Sequence, residues 1–351
     1  MVQLKQLRLR AGLSQRKVAE RVGVSQPHYQ RWETGVAEVP AEKVKRLALV
    51  LKAKPEQIQT KHMPKQVHLY PLEEDKVPDD QSYYGEVSVH FRSGKPLVLS
   101  ISEAAFSKIY RDMQGGGHFV CVRSLMNQLV AIRREAITDL HLMSEAADTY
   151  GPEHDDYDDS NMLLQLIDDR SWEIIERMEW DDNLEEEFDK DEVARVAEIL
   201  KCTTDDEFAN LVAYGRIQPE DVEDYKANEA AKLKTIFNFS RNVRYQFSTG
   251  KLRTLSVDDD EALYDATYAI FDDLFDKDDP FVRLPMAGGY HEVAFINLTT
   301  VDYISVPNHR FMRGYYEALE KEIEEAEELD LKPEQVKGNR GRRPKNDDAG
   351  A

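Results

Sequence analysis

Apolar positions in residues 1–59 recur three and four apart, the spacing that gathers side chains on one side of a helix. Leu4, Leu7 and Ala11 mark one such face, and Val44, Leu47, Ala48 and Leu51 mark another after Pro40. Two shorter helical stretches lie between them with their own start and stop signals. Ser14 is placed to cap the first, its side-chain oxygen accepting a free N–H of the opening turn, and the stretch runs to Val22. Gly23 ends it, because the residue after a helix often needs a positive φ that glycine adopts without steric cost. Ser25 caps the second, and Pro27 falls in its first turn, where a missing N–H breaks no hydrogen bond. Pro55 to Ile58 reads as a short fifth helix. Two helices joined by a tight glycine turn within such a set are a helix-turn-helix layout.

Residues 60–82 carry Pro64, Pro71 and Pro78 among acidic pairs and read as an extended linker. Beyond it the period changes to two, as in Val87, Val89 and Phe91 and later in Val293 and Phe295, which predicts strands with one apolar face. The same order of features occurs twice. Phe91-Arg92-Ser93-Gly94-Lys95 followed by Leu99-Ser100-Ile101 returns as Phe247-Ser248-Thr249-Gly250-Lys251 followed by Leu255-Ser256-Val257, at an offset of 156. Each copy continues with a helical stretch, through Glu103-Ala104 or Glu261-Ala262, then Phe119-Val120 or Phe281-Val282, then strand-like runs ending at 137–142 and 301–306. The offset grows to 162 and then 164, so the second copy is longer, mostly through residues 271–280. This predicts a tandem repeat of strand-turn-strand-helix-strand-strand-strand over 83–145 and 241–308. A common Ser/Thr-Gly-Lys hairpin turn is the competing reading of its most visible motif.

Residues 146–240 separate the copies. An acidic loop with EHDDYDD at 153–159 leads into a helical insert, where Leu163, Leu164, Leu166 and Ile167 begin one face and Trp172, Ile174, Ile175, Met178 and Trp180 continue it. Val193, Val196, Ile199 and Leu200 start another, and Pro219 opens a helix toward Phe237. Core packing is the favoured reading of these faces, a dimer interface the other. Residues 309–330 read as a mostly solvated helix with Phe311, Tyr315, Leu319 and Ile323 on one side, and 331–351 as a basic disordered tail. The fold class expected is multidomain: an all-α five-helix helix-turn-helix head (1–59), then an α+β body with a tandem repeat and a helical insert.

In the head, Val18, Ala19, Val22, Val24, Tyr29 and Trp32 occupy the positions where two such helices pack on each other and on their neighbours. What remains outward on the second helix is Gln26, Pro27, His28, Gln30 and Arg31. Glutamine can bridge adenine N6 and N7, and arginine can bridge guanine O6 and N7 or hold a phosphate. Gln15 sits at a helix N-terminus, a natural place to meet a phosphate. Plain solvent exposure is the competing reading for each. Over residues 4–58 the segments GLSQ at 12–15, Ala19, GVSQP at 23–27, RWE at 31–33 and Gly35 resemble the lambda-repressor/Cro-like (Xre family) DNA-binding domain. Tyr29 stands where that family usually has Ile or Val, and His28 where small residues are common. The resemblance implies that Gln15 and Arg31 meet phosphates and that Gln26, Pro27, His28 and Gln30 face the major groove of double-stranded DNA. Ser25, at the head of the same helix, joins the candidate DNA-binding set.

Charge sharpens the division. The net charge of −21 splits into +8 over residues 1–62 (13 Lys and Arg against 5 Asp and Glu), +3 over 331–351 (6 against 3) and −32 over 63–330. Only the two ends suit a polymer whose binding rests on phosphate neutralisation. The tail KGNRGRRPK at 337–345 resembles an AT-hook, a minor-groove reader, with Arg343 interrupting its Arg-Gly-Arg-Pro core. No charge-free apolar run approaches the roughly 18 residues of a membrane span, and the start lacks a signal-peptide pattern. A cytoplasmic chain with no membrane partner is expected. Cys121 and Cys202 are too far apart to suggest a disulfide framework or a cysteine metal site, and both read as buried or idle thiols. Gly115-Gly116-Gly117 follows a helix instead of opening one, so it is no phosphate cradle, and DDYDDS and DKDDP lack the spacing and turn glycine of a calcium loop. His118 and His291, at roughly related places in the two copies, read as structural. No catalytic residue, metal site or cofactor is expected, and the protein is not read as an enzyme.

The function expected is a sequence-specific transcription regulator, a repressor acting as a homodimer on a palindromic operator. Two alternatives place the activity in the acidic body. One is an antitoxin-like or adaptor protein whose body binds a basic protein partner; the other is a ligand-sensing regulator with a small-molecule effector between the repeats.

Overall fold

Caps and apolar spacing place the head helices where local chemistry asks for them. The structure, a computed structural model, describes residues 3–33, 39–59, 83–144, 168–178, 183–257, 259–272, 274–276, 278–287 and 291–328. The linker at 60–82, EHDDYDD at 153–159, residues 163–167, Gly35, Trp180 and the tail at 331–351 lie outside these residues. The chain divides into one unit of residues 1–63 and 313–351 and another of residues 64–312.

In the first unit five helices follow in order: α1 (Gln3–Arg10), α2 (Gln15–Val22), α3 (Gln26–Glu33), α4 (Ala41–Val50) and α5 (Pro55–Gln59). Ser14 Oγ accepts from Lys17 N at 3.2 Å and so caps α2. Gly23 closes that helix at φ 75°, its N–H reaching Ala19 O at 2.9 Å. The five helices share one core, in which Val18, Val22, Tyr29 and Leu47 are fully buried. Each such side chain contributes on the order of 1.5–3 kcal/mol relative to leaving it in water. Helix α13 (Asn308–Glu328) spans the boundary between the units. Phe311, Leu319 and Ile323 are buried on the side expected, but Tyr316 and Ala326 are buried with them while Tyr315 is only partly so, and the helix is less solvated than expected.

The second unit is built on the repeat. The first copy contains β1 (Tyr83–Phe91), β2 (Leu97–Ser102), α6 (Glu103–Gln114), β3 (Phe119–Arg123), β4 (Gln128–Arg133) and β5 (Ile137–Ser144). The second contains β6 (Asn242–Phe247), β7 (Leu252–Ser256), α12 (Asp260–Phe271), β8 (Phe281–Pro285), β9 (Val293–Asn297) and β10 (Val301–Pro307). Their registers agree residue by residue. Val87 opposes Leu99 as Val243 opposes Leu255; Val120 opposes Ile132 as Val282 opposes Ile296; Val89 opposes Leu140 as Tyr245 opposes Ile304. The ladder of β1 with β5 and that of β6 with β10 shift at corresponding places. Each helix is capped alike, Ser102 accepting from Ala105 N and Asp259 from Ala262 N.

The two hairpin turns meet. Gly94 and Gly250 have φ of 89° and 80°, and a Cβ on Gly250 would lie 2.6 Å from Gly94 N. Ser93 Oγ donates to Ser248 O at 2.7 Å across the same crossing. The sheets mix the copies: one has the order β2-β1-β5, a second β3-β4-β10-β6-β7 and a third β8-β9. The first copy's hairpin thus completes the second copy's sheet, and β10 is buried along its length. Alternation misled at one position: Phe295, expected on the apolar sheet face, is 66 % exposed.

The insert supplies α7 (Asp169–Arg177), α8 (Leu184–Glu187), α9 (Lys190–Ile199), α10 (Asp205–Ala213) and α11 (Val222–Arg241). Trp172, Ile174, Ile175, Val196, Ile236 and Phe239 form a core with Met126 of the first repeat, so α7, α9 and the end of α11 pack inward, whereas α10 and the start of α11 stand largely exposed, with Tyr214 at 79 %. Asn127 Nδ2 and Gln128 Nε2 both donate to Phe239 O, tying α11 to the β3–β4 turn. Pro219 begins a single 3-10 turn, and α11 then runs past Phe237 to Arg241. Cys121 is buried as expected, whereas Cys202 is exposed. No described helix is long and apolar enough to cross a membrane.

Candidate nucleic-acid interface

The two faces of α3 have opposite fates because its eight residues QPHYQRWE alternate in character at helical spacing. Tyr29 and Trp32 turn inward and are buried. Gln26, Pro27, His28, Gln30 and Arg31 are exposed, as is Ser25 just before the helix. The His28 ring stands edge-on to Trp32 at 4.8 Å, one helical turn away, so the core indole orients it. Gln15 is half-buried at the start of α2, and its Nε2 donates to Glu33 Oε1 at 3.3 Å. That bond engages one of the two N–H groups of the amide.

What holds α3 in place is a buried ion pair that sequence reasoning missed. Arg8 of α1 is fully buried, and Glu33, the last residue of α3, is 2 % exposed. Arg8 Nε and Nη2 donate to Glu33 Oε2 and Oε1 at 2.9 and 2.8 Å, while Nη1 donates to Leu13 O at 2.9 Å. Two parallel bonds between planar groups fix orientation as well as distance. Burial works against the Arg8 charge, but Glu33 and then Glu320 outweigh it and hold its pKa above the ordinary value. The available signal was an arginine on the apolar side of the first helix, beside Leu4, Leu7 and Ala11. Other cations of the head are engaged with backbone: Arg46 Nε donates to Arg21 O at 2.7 Å and Lys43 Nζ to Val22 O at 3.4 Å, both near the C-terminus of α2.

Within the same unit Glu320 of α13 accepts from Arg8 Nη2 at 2.6 Å and pairs with Lys5 at 3.2 Å. Burial pushes the Glu320 carboxyl up, yet Arg8 and Lys5 overcome it and hold it below the usual glutamate range. A carboxylate held low stabilises the folded form above its ordinary pKa of about 4.3, and that stabilisation disappears as pH falls through the lowered value. Glu320→Gln is therefore expected to flatten the loss of thermal stability below pH ~4. Melting curves of the two proteins that remained parallel through that range would contradict the pairing.

The arrangement has the parts of a groove reader: a helix with one side locked in a core, the other side polar, and the N-termini of α2 and α3, which suit phosphate oxygens. Residues 4–58 match the family model described as helix-turn-helix. No curated protein and no solved structure matches the chain. Over residues 4–58 the chain is thus similar to helix-turn-helix domains of the Xre, lambda-repressor-like type, and that match supports a DNA-binding transcription regulator.

Proposed function

We infer that the protein is a sequence-specific repressor that acts in the cytoplasm as a homodimer on a two-fold operator. Each protomer lays α3 in the major groove, with Gln26, Pro27, His28 and Gln30 toward base edges and Gln15, Ser25 and Arg31 toward phosphates. The observation that carries this reading is the polar, outward side of α3 on a helix whose other side is immobilised by Tyr29, Trp32 and the Arg8–Glu33 pair. The net charge of +8 over residues 1–62 supplies the attraction to phosphate. Two such helices about 34 Å apart would read half-sites one turn of DNA apart. The acidic body assembles and positions the heads and performs no chemistry.

Selection of bound duplexes from a random pool, followed by footprinting, tests the reading. A palindromic consensus is expected. Gln26→Ala or Gln30→Ala should cost about 1–3 kcal/mol and blur preference at particular bases. Arg31→Ala should weaken all sequences alike and lower the salt slope by about 1. Footprints identical in all three variants would overturn the assignment.

A further inference from the structure

Among the described residues the repeat leaves one of its two internal junctions unmade. Where β4 of the first copy joins β10 of the second, Ala131 opposes Ile304 and Leu129 opposes Val306. The offset of 164 that carries Arg133 to Asn297 and Ile137 to Val301 also carries Ala131 to Phe295 and Leu129 to Val293. In the other direction it carries Ile304 and Val306 to Leu140 and Leu142. The corresponding junction sets β9 beside β5, with Leu140 opposite Phe295 and Leu142 opposite Val293. Among the described residues that ladder is absent: β5 pairs with β1 alone and β9 with β8 alone.

The β8–β9 hairpin also has a bare face: Phe295 is 66 % exposed and Phe281 52 % exposed, opposite the buried Val282, Leu284 and Ile296, and a strand paired with β9 would set its side chain beside Phe295. Beside β5 lies an open groove of about 420 Å³ lined by Tyr110, Met113, Ile137, Leu140 and Leu142 among others. An edge strand with apolar side chains and open backbone groups is a template for another strand.

We propose that a second copy of this chain fills the groove. β9 of one protomer adds antiparallel to β5 of its partner, in the register Leu140 with Phe295 and Leu142 with Val293, and the partner returns the same contact. Each chain carries one seat and one plug, so a two-fold pair closes all four edges, whereas a one-way contact leaves edges open and propagates. The strand chemistry and the register come from the internal β4–β10 junction. The proposal deepens the homodimer of the previous section and rests on that reading for its stoichiometry.

The test uses the full chain without DNA, with Cys202→Ser removing the exposed thiol and Leu140→Cys and Phe295→Cys placed together. Directly opposed residues of an antiparallel pair come within reach of a disulfide. Mild oxidation is expected to give a cross-linked dimer joining position 140 of one chain to position 295 of the other. A bond closed within one chain would show that the hairpin returns to its own β5 and would overturn the proposal. No cross-link in a protein that sediments as a dimer would overturn this pairing and leave the homodimer standing; a monomer would remove both. Phe295→Glu, at a position exposed in the single chain, provides a check independent of engineered cysteines. It should raise the dimer dissociation constant at least about tenfold, and an unchanged constant would overturn the pairing.

Discussion

Replacing Arg8 with methionine is expected to destabilise the helix-turn-helix domain by about 3–5 kcal/mol, because the change strands a buried carboxylate at the end of α3. Glu33 would lose two bonds of 2.8–2.9 Å and its only cross-helix arginine among the described residues, while Leu13 O would lose a donor. A domain stability of 5–15 kcal/mol leaves little after such a loss. Hydrogen exchange over residues 3–33 reads the effect directly: protection should fall throughout the three helices. Replacing Glu33 by leucine in the same molecule should restore much of the protection, since removing both charges removes the stranded one. If the single and double variants exchanged equally fast, the buried charge would not be what matters. DNA affinity should follow the same pattern, since the ion pair holds the end of α3 from which Arg31 projects.

In the body the largest effect is expected from Gly250→Ala. An L-residue at φ 80° costs on the order of 1–2 kcal/mol, and the new Cβ would sit 2.6 Å from Gly94 N and 2.8 Å from Gly94 Cα. Both are backbone atoms of another hairpin turn, so no rotamer change can relieve the contact. Displacing them would also strain the Ser93–Ser248 bond. A total of about 2–5 kcal/mol is expected. Gly116→Ala is the control, since a Cβ there meets nothing within 4 Å. Urea unfolding of the two variants should separate their midpoints clearly; coincident curves would mean that the turns do not meet as described.

The elements legible in the chain were those whose causes are local. Ser14 and Gly23 delimit α2 through bonds to residues three or four away, and Pro27 sits in the first turn of α3 for the same kind of reason. The repeat was legible because equal spacing of Gly94 and Gly250, and of the strands after them, survives in the letters. Its seven-part order appears in both copies. The outward set on α3 followed from the burial of Tyr29 and Trp32, which helical spacing alone assigns.

Partners across long separations were not legible. Arg8 finds Glu33 across 25 positions and Glu320 across 312. Arg8 on the apolar side of α1 signals a buried cation but not its partners, because closing a longer loop costs only slightly more entropy than closing a shorter one and separation therefore selects none. Alternation sets Val293 and Phe295 on one face of a strand, but it does not say whether anything covers that face, and Phe295 is 66 % exposed. By itself the sequence determined the head, the outward polar face of α3 and the twofold recurrence of one unit, since caps, turns and periodicity act within a few residues. Only the tertiary structure decided that β4 joins β10, that the turn glycines cross, and that among the described residues β5 pairs with β1 alone and β9 with β8 alone. Each of those depends on which surfaces meet in space, and a pattern of apolar residues specifies a surface without naming its partner.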